Sequence, residues 1–457
     1  MLTGLALPLL ASGTLPTWCL LSPSNTMTAT DSSSPQGSGA AATEDYPLSR
    51  VPVQARKSLI SLAPILIGFT LYSGTLFAGG LVGPSAQFWP DLLGLILLGN
   101  LILGLYAALL GWIAAETGLT TVLMARFSFG NVGSRWVDFI LGFTQIGWYA
   151  WGSALMAKLL NTLAGVPEAW NGALILFFTY ACCSTAYFGY KAMDWLSRIA
   201  VPAMVILMVW SLTIAGGEVG GFAGLQSAEL GEPLPFTAAV TIIVGTFISG
   251  GTQSTNWSRF AKSGKVGFWA TLIAFFLGNG FLIFSGAFCA KVYGNPDIVE
   301  VMAQQGLLLW GLILFFLNMW TTQDNTIYAF SIAGANMFRT QRRTLFVLGG
   351  ATFALILAWG GIYEMLVNYL ILLGTFIPPI GGVIMADYWF YRRGRFPDVS
   401  TPQPAFNWAG IAAYVAASAI AYITSQLSWG IVPINGIVSA AIVYVVVAKL
   451  LLKAEPA

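Results

Sequence analysis

From Lys57 onward the chain returns repeatedly to apolar runs long enough to cross the roughly 30 Å hydrocarbon core of a bilayer, with short loops between them. Twelve such runs fall near residues 58–83, 91–115, 134–162, 171–189, 193–216, 236–257, 266–290, 305–333, 344–361, 364–388, 406–427 and 430–452. Backbone groups in oil must find partners within the segment, so runs of this length and polarity are helices. The expected fold class is therefore an all-α membrane protein. A composition of 57% apolar and 8% charged residues agrees, since soluble domains carry roughly 25% charged residues.

Charge placement sets the orientation. With the N-terminus in the cytoplasm, eighteen of the twenty Lys and Arg fall on cytoplasmic segments, leaving Lys158 and Lys291 outside. Dropping one span would invert every later loop, so the even count carries the pattern. The expected location is a bacterial-type inner membrane with both termini cytoplasmic. Ahead of the apolar domain at 51–453, residues 1–21 are apolar without the basic leader of a signal peptide. Residues 22–46 are rich in Ser, Gly, Ala and Thr without periodicity, which predicts a disordered tail over 1–50. Met27 is an alternative start, the residues before it forming a non-functional extension.

Several function classes drop out. Twenty basic against eighteen acidic residues give no sign of a nucleic-acid partner. The four cysteines, Cys19, Cys182, Cys183 and Cys289, lack metal or redox spacing, and the adjacent pair reads as core thiols. There is no histidine, which removes histidine-based triads, metal sites and proton relays. An enzyme would need a nucleophile–base pair, a metal cluster or a cofactor motif. A channel would need a continuous polar pathway, and a sensor would need a soluble output domain.

The first five spans echo the next five. Ser73-Gly-Thr75 matches Gly250-Gly-Thr252, Leu98-Gly-Asn100 matches Leu277-Gly-Asn279, and Thr144-Gln145 matches Thr322-Gln323, at offsets of 177, 179 and 178 residues. Five spans is an odd number, so the second copy enters from the opposite side, giving inverted repeats near 57–216 and 236–390 with two extra helices near 404–453. The lead span of each copy is interrupted by glycine and hydroxyl residues, at Gly68–Thr75 and Gly245–Thr252. Such runs predict broken helices whose freed carbonyls and amides line a cavity. Asn318-Met-Trp-Thr-Thr-Gln-Asp-Asn325 adds six polar side chains to the middle of an apolar span, where polar groups mark function by default.

Ala55-Arg-Lys57, the run Gly118–Gly130, Thr144-Gln-Ile-Gly-Trp148, Phe247-Ile-Ser249, Asn318–Asn325 and Ile377–Asp387 together resemble the cytosine permease branch of the nucleobase-cation-symport-1 transporters, from about Pro52 to Lys453. The resemblance implies twelve transmembrane helices: a LeuT-like 5+5 inverted-repeat core plus two C-terminal helices. It also implies import of a nucleobase, cytosine foremost, coupled to sodium by alternating access, with no cofactor. A monomer is expected. The alternative is a symporter for a related heterocycle, such as a purine, uracil, hydantoin or hydroxymethylpyrimidine, or coupling to protons.

Residue by residue, a planar base needs flat apolar faces and an edge of hydrogen-bond partners. Trp148 and Phe247 match the aromatics that sandwich the base in the family, and Gln145 matches the residue that bonds its edge. A carboxamide offers both donor and acceptor, as an amidine-like edge requires. Ser249 and the freed amides around Ser73 and Gly74 complete the set. Sodium, a hard cation, seeks oxygen, as calcium and magnesium do. Thr321 and Thr322 offer hydroxyls and Asn318 a carbonyl, and the family adds backbone carbonyls near Phe69 and Tyr72. Because consecutive threonines point in two directions, at least one is expected to find a partner other than its own helix carbonyl. Two positions depart from the family. Gln323, at a position expected to touch the base, replaces Asn, and Asn256 replaces Asp near the cytoplasmic mouth. Asp324 has two readings, a proton-linked carboxylate or a structural and gating residue.

Overall fold

The computed structural model describes residues 49–451 apart from 189, 229, 230, 339 and 341. The tail expected before residue 49 and the alternative start at Met27 lie outside the described residues. Each of the twelve expected intervals carries helix, and among the described residues no strand forms beyond an isolated bridge between Lys57 and Ala261. The principal helices in chain order are α1 (Leu59–Thr70), α2 (Ser73–Val82), α3 (Leu93–Thr117), α4 (Thr121–Phe129), α5 (Ser134–Ala164), α6 (Asn171–Phe188) and α7 (Tyr190–Glu218). They continue with α8 (Phe236–Gly245), α9 (Ile248–Gln253), α10 (Gly264–Ala274), α11 (Gly280–Tyr293), α12 (Leu308–Met337), α13 (Arg343–Trp359), α14 (Leu366–Phe376), α15 (Pro378–Ala386), α16 (Trp408–Gln426) and α17 (Val432–Leu451).

Seven helical segments among the described residues are long and apolar enough to cross a bilayer, and two bent pairs pass together: Leu59–Thr70 with Ser73–Ser85, at 60°, and Phe236–Gly245 with Ile248–Ser258, at 45°. The remaining expected intervals hold α5, α12 and the shorter α13. The first two, 31 and 30 residues long, carry polar side chains in their middle, as a helix lining a site does.

Both lead spans are broken where repeat and composition place the break, but glycine is not the breaking residue. The first break falls at Leu71 (φ −80°, ψ 75°) and Tyr72 (φ −114°, ψ 129°), and the second at Phe247 (φ −136°, ψ 14°). All three have negative φ, which any residue adopts. The glycines beside them make room instead. A Cβ on Gly74 would sit 2.6 Å from the Tyr72 ring, and one on Gly250 would strike the Phe247 ring. The role of these glycines at the breaks is clearance for an aromatic side chain.

The packing exchanges partners between halves as two related copies would. In the first half α2 packs on α11, and in the second α8 packs on α3. The repeat-matched asparagines meet directly, with Asn279 Nδ2 donating to Asn100 Oδ1 at 2.8 Å. Thr75, just beyond the first break, donates to Asn279 Oδ1 at 2.8 Å. Asn279 ends a π-helical turn, Phe275–Asn279, between α10 and α11. Widened turns of this kind occur often at functional positions. This buried amide chain thus ties the region around the break to the seam between halves.

The two lysines that the charge pattern sets apart are each close to an oxygen. Lys158 faces Asp297 at 3.9 Å, and buried Lys291 donates to the Ala86 carbonyl at 3.0 Å. Arg50 already belongs to the bundle, donating to the carbonyls of Thr117, Phe396 and Pro397.

A buried carboxylate fastens the C-terminal helices. Asp387 lies just past α15 and is fully buried. It accepts from Arg392 Nε at 3.0 Å, Ser128 Oγ at 2.8 Å and the Tyr444 hydroxyl at 2.7 Å, joining α4, α15 and α17. Removing one partner of a buried pair costs about 3–5 kcal/mol because the other charge is stranded. Asp387→Ala is accordingly expected to lower the melting temperature of the detergent-solubilised protein clearly. Tyr444→Phe, which deletes one of three bonds, should lower it less.

Candidate functional site

The two breaks, the middle of α5 and the start of α14 converge on a closed aromatic box. Trp148 is 3% exposed, Phe247 7% and Tyr72 4%, so the box is shut on all sides in this conformation. Tyr72 meets Trp148 edge-on, with ring centroids 5.1 Å apart and planes at 86°, and meets Phe247 at 6.1 Å and 73°. Phe69 closes on Phe247 at 5.0 Å, and Tyr369 on Trp148 at 5.2 Å. The expected pair of walls, Trp148 and Phe247, is thus brought together around a third ring, Tyr72, which sequence reasoning assigned only a backbone role. Tyr369 and the Phe69 ring were missed too. In a chain with 30 phenylalanines and 16 tyrosines, nothing in spacing singles them out.

Gln145 lies one helical turn before Trp148 on α5 and is 8% exposed. At i and i+3 the two share a face, as the spacing predicts. Ser73 and Gly74 head α2 and Ser249 lies in the first turn of α9, so their amides belong to the set that a helix start leaves without intrahelical partners.

The polar cluster of α12 fans out in three directions. Toward the first break, Asn318 accepts the Ser73 hydroxyl and donates Nδ2 to the Leu71 carbonyl at 3.3 Å. Thr321 and Thr322 both donate to the Asn318 carbonyl, at 2.7 and 3.0 Å. The expectation that one threonine must look beyond its own helix was therefore wrong, because the i−3 and i−4 geometries reach the same oxygen. Their hydroxyl oxygens keep lone pairs for a cation, since donation uses only the proton. The Tyr72 carbonyl accepts the Thr75 amide at 3.0 Å, and Phe69 lies in the last turn of α1.

Toward α5, Gln323 is fully buried and donates Nε2 to the Tyr149 carbonyl at 2.7 Å and to Ser153 Oγ at 3.0 Å. Its Oε1 has no hydrogen-bond partner and lies against Gly152, one turn beyond Trp148. Toward α6, Asp324 accepts the Thr185 hydroxyl, and Thr185 accepts Trp320 Nε1 at 3.1 Å. This carboxylate therefore faces a different helix from the break. Asn256 lies in the short helix Thr255–Ser258 at the far end of the second bent span.

Chemically, the box offers flat faces and an amide edge, while the break offers hydroxyl and carbonyl oxygens. No group of three or more His, Cys, Asp or Glu side chains that could hold a metal occurs among the described residues. Oxygen from neutral side chains and backbone suits a monovalent hard cation better than a transition metal.

Comparison with known proteins gives concordant results. Residues 50–447 match the sequence model of the family described as permease for cytosine/purines, uracil, thiamine, allantoin. The cytosine permease of Escherichia coli (strain K12) is 36% identical over 403 residues, covering 88% of this chain and 93% of that protein. The hydantoin permease of Microbacterium maritypicum is 22% identical over 449 residues, covering 87% and 86%. Among solved structures, the inward-facing conformation of Mhp1 superposes with a TM-score of 0.76 at 19% identity, over 88% of this chain and 92% of that one. Mhp1 in a closed conformation with bromovinylhydantoin bound, described as a nucleobase-cation-symport-1 family transporter, gives 0.72 at 20% identity, over 88% and 96%.

Proposed function

Because the chain belongs to the family of permeases for cytosine/purines, uracil, thiamine and allantoin, we propose that it imports cytosine, driven by a sodium gradient through alternating access. The observation that carries this reading is the double attachment of Asn318 to the break, through Ser73 and the Leu71 carbonyl. It supports an ion site formed by Asn318, Thr321 and Thr322 next to the break that carries Tyr72 of the aromatic box. An ion held there, with the carbonyls of Phe69 and Tyr72 completing its shell, would fix the bend on which the box depends. Trp148 and Phe247 serve as faces for the base, and Gln145, Ser249, the Ser73 and Gly74 amides and the free Oε1 of Gln323 serve its edge. The protein works as a monomer in a bacterial-type inner membrane with both termini cytoplasmic.

Gln323 also supports a second reading, a related heterocycle as substrate, because its amide reaches farther than the Asn of the resembled permeases and is partly engaged by α5. Proteoliposomes separate the two. Labelled cytosine should accumulate against its gradient when sodium is high outside, and accumulation should collapse with the sodium gradient. Accumulation of another base in preference to cytosine supports the second reading. Uptake driven by a pH gradient and indifferent to sodium rejects sodium coupling, and turns attention to Asp324.

A further inference from the structure

Tyr72 differs from the tyrosines around it. Tyr369 donates to the Thr144 carbonyl at 2.6 Å, Tyr149 to the Thr179 carbonyl at 2.5 Å, and Tyr106 shares a bond with Thr252 at 2.8 Å. The Tyr72 hydroxyl, on a side chain only 4% exposed, has no partner. A buried polar group left unsatisfied is destabilising, and phenylalanine would fill the same ring space without that cost. The hydroxyl therefore has a use in a state other than this one.

Its position says what that use is. The Cε1 and Cζ atoms of Tyr72 lie 2.6 and 2.8 Å from the point a Gly74 Cβ would occupy, and Trp148 Cζ3 lies 3.0 Å from the same point. The hydroxyl-bearing end of the ring is thus directed over the head of α2, beside the Trp148 indole. The side chain is carried by a break rather than a regular helix, so a change in the bend moves it directly. A carboxamide at Gln145 matches a neighbouring ring nitrogen and exocyclic amine. A ring carbonyl calls for donors beyond that carboxamide, and a phenol beside the amides at the head of α2 is a good one.

Resting on the reading of the box as a base site, we propose that the Tyr72 hydroxyl is a further specificity-determining group that donates to a ring carbonyl of the bound heterocycle. The test is a two-by-two comparison in purified protein with sodium present. Dissociation constants are measured for cytosine and for 4-aminopyrimidine, which lacks the 2-oxo group, in the wild type and in Tyr72→Phe. Cytosine binding should weaken about 5- to 30-fold in the variant, while 4-aminopyrimidine changes less than about 2-fold. Equal weakening of both ligands, or unchanged cytosine binding, overturns the proposal. The melting temperature without ligand separates a structural role: an orphan hydroxyl leaves it unchanged or raised on removal, whereas a fall marks a hydroxyl that supports the fold and also overturns the proposal. If folded wild-type protein binds neither ligand, the base-site reading itself fails and takes this proposal with it.

Discussion

Trp148→Ala is expected to weaken cytosine binding by about two orders of magnitude and to reduce uptake to background. Stacking of a base on an aromatic side chain is worth about 1–3 kcal/mol by alanine substitution. The indole does more here than stack. It touches Tyr72, Trp151 and Tyr369 edge-on, at centroid distances of 5.1, 6.1 and 5.2 Å, so its removal also loosens the rings that define the box. Trp148→Phe keeps a flat face and should recover part of the affinity. Equilibrium binding of labelled cytosine, with melting temperature as a control for folding, checks both. An alanine variant that is folded and binds like the wild type would remove Trp148 from the site.

Asn318→Ala should abolish sodium-stimulated uptake, and should do so even where cytosine still binds weakly. The substitution deletes an oxygen of the proposed ion site and leaves the Ser73 hydroxyl and Leu71 carbonyl without that partner in a buried site. Each orphaned group costs about 1–3 kcal/mol, comparable to the energy that separates conformations of a transporter. The distinguishing readout is the sodium dependence of cytosine binding, which should disappear in the variant. Thr322→Ala should reduce sodium affinity with a smaller effect on the break, since Thr322 bonds only within α12.

Much of the architecture could be read from the sequence because the bilayer leaves few choices. Apolar length and the repeat offsets together specified the helices and the two interrupted lead spans. The asparagines picked out at one offset, Asn100 and Asn279, turned out to bond each other. What could not be read was direction. Asn318, Gln323 and Asp324 stand within seven positions in sequence, yet they address the first break, α5 and α6 respectively. A one-residue step turns a helix by about 100°, so proximity in the chain says little about which neighbour each side chain meets. Tyr72 went unrecognised as a wall for the same reason, because a break carries no periodicity from which to infer a face.

If one helix, α12, joins an ion site to a base site, reciprocal binding shows it most directly. If sodium tightens cytosine binding by some factor, cytosine must tighten sodium binding by the same factor. Titrating the purified protein with cytosine at zero and saturating sodium, and with sodium at zero and saturating cytosine, should give equal factors of at least about tenfold, both lost in Asn318→Ala. Tight cytosine binding that is indifferent to sodium in the wild type would contradict the account.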